Sequence, residues 1–208
     1  MSNRKAGMML AGIPHQLPYS VAKYERVFNE FHVTVSDVLE NAYDVEDVVL
    51  ALYEATENDK VVMHLNCDGG SCYVGDALTH AMRNCKAEIH CIATGRVASY
   101  ATFIIMEAHT FEMSPFTDVL CHSPSYGSVG KAQDVAEHVA YVNRQVKALV
   151  DHYYTDFLTP DEMYDMMANK REIYMTAQEF TDRLTTRADN YERILKNNPD
   201  LAANPNRD

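Results

Sequence analysis

The sequence predicts an α/β fold with a mostly parallel sheet, and three observations support that class. Short apolar segments typical of strands alternate with amphipathic segments typical of helices along most of the 208 residues. Glycine-containing turns separate several of these segments. Hydrophobic residues make up 47% and charged residues 23% of the chain, which are ordinary globular values. In such folds the functional loops lie at the carboxyl ends of the strands.

The first half of the chain contains two predicted strand–helix–strand units. Alternating residues predict a strand over 31–35, and apolar spacing predicts a helix over 44–54 with Asp44 as its N-cap. The later segments are a strand over 61–66, a turn over 67–71, a helix over 73–84, a strand over 88–93, a turn near Gly95, a helix over 99–108 and a strand over 119–121.

A long helix dominates the second half of the chain. Between residues 131 and 157 apolar side chains recur at intervals of four and three, which predicts one apolar stripe. Thr159 and Pro160 indicate the start of a short helix, and another is expected over 176–184. We therefore expect one domain over 24–184, an N-terminal arm over 1–23 and a polar C-terminal tail over 185–208.

The charge balance excludes several classes of partner. With 18 Lys plus Arg against 30 Asp plus Glu, the net charge of −12 repels nucleic acids and anionic membrane surfaces. No run approaches the roughly 18 apolar residues that span a bilayer. The five cysteines form neither a disulfide framework nor paired zinc-ligand motifs. We expect reduced thiols, a cytoplasmic location and no bound metal.

Ser99 falls at the predicted start of the 99–108 helix, in Gly95-Arg96-Val97-Ala98-Ser99-Tyr100-Ala101. Unpaired N–H groups at a helix start stabilise an alkoxide or a nearby oxyanion. Local sequence leaves two interpretations open, a helix cap and a nucleophile. The motif lacks the flanking glycines of the α/β-hydrolase elbow.

Two further features are candidates for a catalytic role. The paired glycines of Asn66-Cys67-Asp68-Gly69-Gly70 allow backbone N–H groups to approach a bound group, although such turns are common without any function. His122 ends an apolar strand and is either a general base or a core histidine.

The order of these motifs resembles that of the Clp protease proteolytic subunit. The Ser99 segment is similar to that family's Gly-Gln-Ala-Ala-Ser-Met-Gly-Ala, and His122-Ser123-Pro124 is similar to its Met-Ile-His-Gln-Pro. Residues 24–33 and 171–179 also resemble family segments, so the likeness covers about 24–184. The resemblance implies a crotonase-like fold of repeated strand–helix–strand units with a projecting handle helix.

The family's roles carry over to particular residues here. The resemblance implies Ser99 as nucleophile, His122 as general base and Glu172 as the acid that orients the base, with the N–H groups of Gly70 and Tyr100 as the oxyanion hole. It implies an ATP-dependent serine endopeptidase whose ATPase is a separate subunit, with no cofactor at the site.

The resemblance also implies assembly, with Asp134 on the long helix and Arg171 at the interface between rings of a heptamer or double heptamer. Unfolded proteins or peptides would be the substrates, and an AAA+ unfoldase is a possible partner.

Several residues depart from the family pattern. Glu172 replaces an aspartate, and Asp68 places a carboxylate beside the expected oxyanion hole. Val62 and His64 replace tyrosines that help to grip an ATPase loop. These departures favour a divergent member of bacterial or phage origin, in the cytoplasm of a bacterium or an infected host.

Two alternatives stay open: a stand-alone capsid-maturation protease and a catalytically inactive ring subunit. Related acyl-CoA enzymes share the fold but need no serine–histidine pair.

Overall fold

A computed structural model describes residues 28–197, with side chains through Glu192. Its elements in chain order are β1 (Glu30–Leu39), α1 (Tyr43–Glu54), β2 (Lys60–Gly70), α2 (Cys72–Asn84), β3 (Glu88–Ala98), α3 (Tyr100–Met106), β4 (Thr110–Met113), β5 (Asp118–Cys121), α4 (Ala132–Tyr154), α5 (Pro160–Ala168), β6 (Ile173–Thr176) and α6 (Ala177–Asn197). The α/β class is confirmed. The predicted arm over 1–23 lies outside the described residues.

The sheet is mostly parallel, as expected. Its strand order is β1-β2-β3-β5-β6, and β4 pairs with β3 beside that path. All pairs are parallel except β5–β6, which is antiparallel. Sequence patterns did not predict the four-residue strands β4 and β6.

The sheet buries one face more completely than the other. In β2, Val61, Met63 and Leu65 are buried whereas His64 and Asn66 are exposed. This alternation arises because successive side chains of a β-strand point to opposite faces of the sheet. The buried face packs in one core with helix side chains that include those of α1, α2 and α3.

The paired glycines end a strand and do not form the predicted turn over 67–71. The pairing of β1 with β2 shifts register between Asp37 and Val38 and then continues to Gly70. A Cβ on Gly70, whose φ is +134°, would lie 2.4 Å from the Leu39 carbonyl oxygen, so only glycine fits there. Gly95 likewise lies inside β3, where the pairing with β2 is irregular. Turn-type residues here produce irregular pairing and not a chain reversal.

The N-cap of α1 is Ala42, so the prediction of Asp44 as the cap was wrong. Asp44 lies within the first turn, where its carboxylate accepts hydrogen bonds from the N–H groups of Glu40 at 3.0 Å and Asn41 at 2.7 Å. A negative charge in that turn still complements the helix dipole.

The long helix α4 projects from the body. Its buried residues, Val150, Tyr153 and Tyr154, all lie near its C-terminal end. The preceding turns carry the half-buried stripe that the spacing predicts, including Val142, Val146 and Leu149. This agrees with the expected handle.

The final helix extends past Leu184 to Asn197, so the predicted end of this helix was wrong. Arg187 donates hydrogen bonds to the carbonyl oxygens of Tyr153 at 2.7 Å and His152 at 3.1 Å. These contacts anchor α6 to the last turn of α4. A polar composition without glycine or proline does not stop a helix. No helix within residues 28–197 has the length and apolar content needed to cross a membrane.

Candidate active site

Ser99 lies directly after β3, at the edge where the strand pairs with β5. Ala98 is in register with Leu120, and the Ser99 N–H donates to the Leu120 carbonyl at 2.8 Å. The serine therefore continues the sheet pairing by one hydrogen bond before α3 begins.

His122 and Glu172 are positioned by the neighbouring antiparallel pair of strands, β5 and β6. Cys121 at the end of β5 is in register with Ile173 at the start of β6. The next residue outward on each side is His122 and Glu172, respectively. The three predicted triad residues thus come from adjacent strand ends at one edge of the sheet.

The backbone of Ser99 is strained. Its φ of +55° and ψ of −124° are unusual for a residue with a side chain. The residue occupies the N-cap position of α3, but its side chain makes no capping hydrogen bond. Strain of this kind costs about 1–3 kcal/mol and is concentrated at functional sites. A simple capping role therefore does not account for Ser99.

Gly69 makes room for this turn. A Cβ on Gly69 would lie 2.6 Å from Ser99 Cβ, 2.7 Å from the Ala98 oxygen and 2.8 Å from the Tyr100 nitrogen. Its φ of +85° also favours glycine. The ends of β2 and β3 approach closely because position 69 has no side chain.

A groove of about 800 Å³ brings most of the predicted site together. One part of its lining consists of Gly70, Ser99, Tyr100 and His122, the candidate nucleophile, base and oxyanion-hole residues. Another part is the apolar stripe of α4, contributed by Val142, Val146 and Leu149. The groove therefore joins a polar reaction centre to an apolar wall.

Glu172 lines a second cleft, of about 530 Å³, together with His122. Its Oε2 accepts a 2.5 Å hydrogen bond from the Tyr174 hydroxyl, which raises the pKa of Tyr174. Across residues 28–197, no hydrogen bond joins Ser99 to His122 or His122 to Glu172. The structure brings the three residues into neighbouring positions without linking them.

The Asp68 carboxylate, which departs from the family pattern, forms an ion pair with Arg96. Asp68 lines the groove, and its Oδ1 lies 2.7 Å from Arg96 Nε, although that N–H is not aligned with the oxygen. Arg96 Nη1 also donates to Asp118 Oδ2 at 2.8 Å. The guanidinium thus offsets the charge that was expected to oppose an oxyanion. Arg96 was not among the predicted site residues, because its only signal in the sequence is a cation three residues before Ser99.

The two candidate interface residues do not pair with each other within the described residues. Arg171 Nη1 donates to Asp165 Oδ2 at 2.7 Å. Asp134 is exposed in the first turn of α4 and has no side-chain hydrogen bond or ion pair within the described residues. Both groups remain accessible to a second subunit.

No group of three or more His, Cys, Asp or Glu side chains within residues 28–197 is arranged to hold a metal ion.

Comparisons with known proteins agree with this fold. The family model described as Clp protease matches residues 16–183. An ATP-dependent Clp protease proteolytic subunit of Bacteroides thetaiotaomicron is 28% identical over 57% of this chain and 54% of its own length. Subunit 1 of Shouchella clausii is 27% identical over 71% of this chain and 76% of its own length.

A third relative, the Clp proteolytic subunit of Chlorella vulgaris, is 28% identical over 64% of this chain and 73% of its own length. The match thus spans about half of the Bacteroides relative and about three quarters of the other two. Identities of this size indicate a divergent member. Because the family model matches most of the chain, the protein belongs to the Clp protease family.

Proposed function

We propose that this protein is a serine endopeptidase that cleaves unfolded polypeptides through an acyl-enzyme on Ser99. The observation that carries the proposal is the position of Ser99, in a strained turn with His122 lining the same groove. Membership of the Clp protease family supports it independently.

Each candidate residue has a defined role. His122 takes the Ser99 proton, Glu172 orients the imidazole, and the N–H groups of Gly70 and Tyr100 stabilise the oxyanion. Losing one such donor typically costs about 3–4 kcal/mol of barrier. Reaction requires Ser99 and His122 to come within hydrogen-bonding distance and Glu172 to turn from Tyr174 toward the base. No cofactor takes part in this chemistry.

The groove fits an extended polypeptide. Its apolar wall on α4 offers contacts for hydrophobic side chains, and its polar floor carries the reaction centre. Unfolded chains expose the backbone and apolar side chains that such a surface binds.

Assembly into heptameric rings, single or paired, is part of the proposal. Asp134 has no partner within the described chain, and the Arg171 side chain is 69% exposed. Both are thus available for contacts between rings, which would enclose the groove. An AAA+ unfoldase that delivers substrate is the partner of such a chamber.

Two alternative functions are each favoured by a specific observation. The missing hydrogen bonds between the triad residues favour an inactive ring subunit. On the exposed sheet face, His64 Nε2 lies 3.2 Å from His32 Nδ1, whose ring also contacts Glu30. This polar surface, where the family has tyrosines, favours a stand-alone protease without an unfoldase.

The test is fluorophosphonate labelling with peptide mapping, run beside native mass measurement. We expect labelling on Ser99, and loss of peptide cleavage in folded Ser99→Ala and His122→Ala proteins. Losing the nucleophile of a triad can cost about 10⁶ in turnover. Equal cleavage by Ser99→Ala would exclude the mechanism, and an unlabelled but ring-sized protein would identify the inactive subunit.

Glu172 is tested by two substitutions in the same experiment. Glu172→Gln removes the charge that stabilises the imidazolium, and a comparable amide in a serine protease costs about 10⁴. Glu172→Asp keeps the charge and shortens the reach, so we expect it to retain about a tenth of the activity or more. Near-wild-type kcat/KM in an assembled Glu172→Gln protein would mean that another group orients the base.

A further inference from the structure

Beneath the candidate nucleophile lies a buried chain of hydroxyl groups that the catalytic roles do not use. Thr102 Oγ1 donates a 2.6 Å hydrogen bond to the Ser99 carbonyl oxygen, and the Thr102 N–H reaches the same oxygen at 3.1 Å. Thr102 Oγ1 also lies 2.7 Å from the Tyr154 hydroxyl. Thr102 and Tyr154 are both fully buried.

The direction of these bonds follows from counting protons. A threonine hydroxyl has one proton, and Thr102 uses it on the Ser99 carbonyl. The Tyr154 hydroxyl must therefore donate to Thr102. Burial raises the pKa of Tyr154 well above its usual value, so the tyrosine keeps the proton that it donates.

The same tyrosine contacts the strand that carries the base. Its hydroxyl interacts with the Cys121 thiol, which is buried and directly precedes His122. Cys121, Tyr154, Thr102 and Ser99 thus connect the end of β5, the end of α4 and the strained turn. In this way one buried hydroxyl links the segments that supply Ser99 and His122.

From this geometry we propose that Tyr154, acting through Thr102, is a positioning residue that holds Ser99 in its strained conformation and aligns it with His122. This inference rests on the proposed peptidase function. A helical threonine divides between two side-chain rotamers, one of which bonds the carbonyl three residues earlier. Donation from Tyr154 selects that rotamer, and neighbouring hydrogen bonds in a buried chain strengthen one another.

The chain offers a matched control one residue away. Tyr153 is also buried, lies on the same helix and stacks on Phe103, but its hydroxyl donates to Glu107 at 2.6 Å and makes no hydrogen bond with Thr102 within the described residues. Tyr153→Phe therefore removes a comparable buried hydrogen bond without touching the Ser99 turn.

The experiment measures the rate of Ser99 labelling by a fluorophosphonate, together with kcat, KM and melting temperature. We expect Tyr154→Phe and Thr102→Val to slow labelling and lower kcat by about ten- to a hundredfold at little changed KM, the size typical of misplaced reacting groups. Tyr153→Phe should keep its labelling rate and kcat near the wild-type values. Thr102→Ser, which keeps the hydroxyl, should do the same. Both should hold even where the melting temperature falls. The double variant Thr102→Val with Tyr154→Phe should be no slower than Thr102→Val alone, because both break one chain.

The outcomes separate the inference from the function on which it rests. If the wild-type protein labels at Ser99 and Tyr154→Phe labels as fast as Tyr153→Phe, the positioning role is overturned and the peptidase function stands. If the wild-type protein does not label, the proposed function fails, and the positioning role fails with it. Slow labelling confined to the two chain-breaking variants supports the inference.

Discussion

Four of the seven positive-φ residues within residues 28–197 belong to the segments around the candidate nucleophile. Ser99, Gly69, Gly70 and Gly95 all adopt such conformations in the segments that form or support the groove. The strain at Ser99 persists because hydrogen bonds from its neighbours and the close approach of Gly69 leave the turn no alternative. The identity of residue 69 thus affects the geometry of residue 99.

Gly69→Ala should both destabilise the protein and impair Ser99. The added Cβ meets Ser99 Cβ at 2.6 Å and requires a φ that alanine rarely adopts, so we expect a loss of about 1–3 kcal/mol in unfolding free energy. Urea unfolding and the rate of fluorophosphonate labelling measure the two effects.

Gly127→Ala is the control for this substitution. Gly127 also lines the groove, but a Cβ there meets nothing within 4 Å. We expect stability and labelling close to wild type. Unchanged stability and labelling in Gly69→Ala would contradict the close-approach argument.

Among the helices, α5 has a complete set of start signals. The Thr159 side chain accepts from the Glu162 N–H at 3.2 Å, and Glu162 accepts in return from the Thr159 N–H at 2.9 Å, which is a capping box. Arg183 of α6 adds two further bonds to the same carboxylate, at 2.8 and 2.9 Å. The Glu162–Arg183 ion pair therefore joins α5 to α6.

Glu162 should make stability depend on pH in the acid range. Its hydrogen bonds with Arg183 and Thr159 lower its pKa from 4.5 to about 2. Because the pKa is lower in the folded state, the stabilisation is complete above about pH 4.5 and is lost as the pH falls toward 2. We expect Glu162→Gln to lower stability at neutral pH. We also expect its melting temperature to depend less on pH between about 2 and 4.5 than that of the wild type.

Glu54→Gln is the matched control, since Glu54 is exposed at the end of α1 and has no ion pair within the described residues. Its acid profile should follow that of the wild type. A Glu162→Gln protein with the wild-type slope between pH 2 and 4.5 would show that the carboxylate contributes nothing to the linkage.

At the scale of the whole molecule, the exposed handle helix is the feature that favours assembly. The handle α4 leaves most of its length outside the core, and the groove lies between that helix and the body. A second ring contacting the handle would cover the stripe and close the groove. Activity and assembly would then change together.

Arg171→Glu should separate paired rings and lower peptidase activity. Reversing the charge also breaks the pair with Asp165 inside the chain, so Asp165→Asn is the control that removes this pair while keeping Arg171. We expect a lower native mass for Arg171→Glu and an unchanged mass for Asp165→Asn. Equal mass and turnover in both variants and the wild type would exclude Arg171 from the ring interface.

Local patterns carry enough information for the fold class and for the order of the main elements. Strand and helix periods predicted the three long strands and α4, because each of those segments carries apolar residues at the spacing of one face. Motif order likewise pointed to Ser99, Gly70, His122 and Glu172. These residues stand next to strand ends, where a sequence pattern changes sharply.

What no pattern contains is the pairing of distant segments. The antiparallel β5–β6 pair that sets His122 opposite Glu172, the pairing of Arg96 with Asp68, and the bond from Tyr154 to Thr102 join residues 28 to 52 positions apart. Backbone and side-chain groups that far apart choose partners only when the core packs and buried polar groups must be satisfied. Residue types along the chain therefore indicate which groups can react, whereas tertiary packing decides which of them meet.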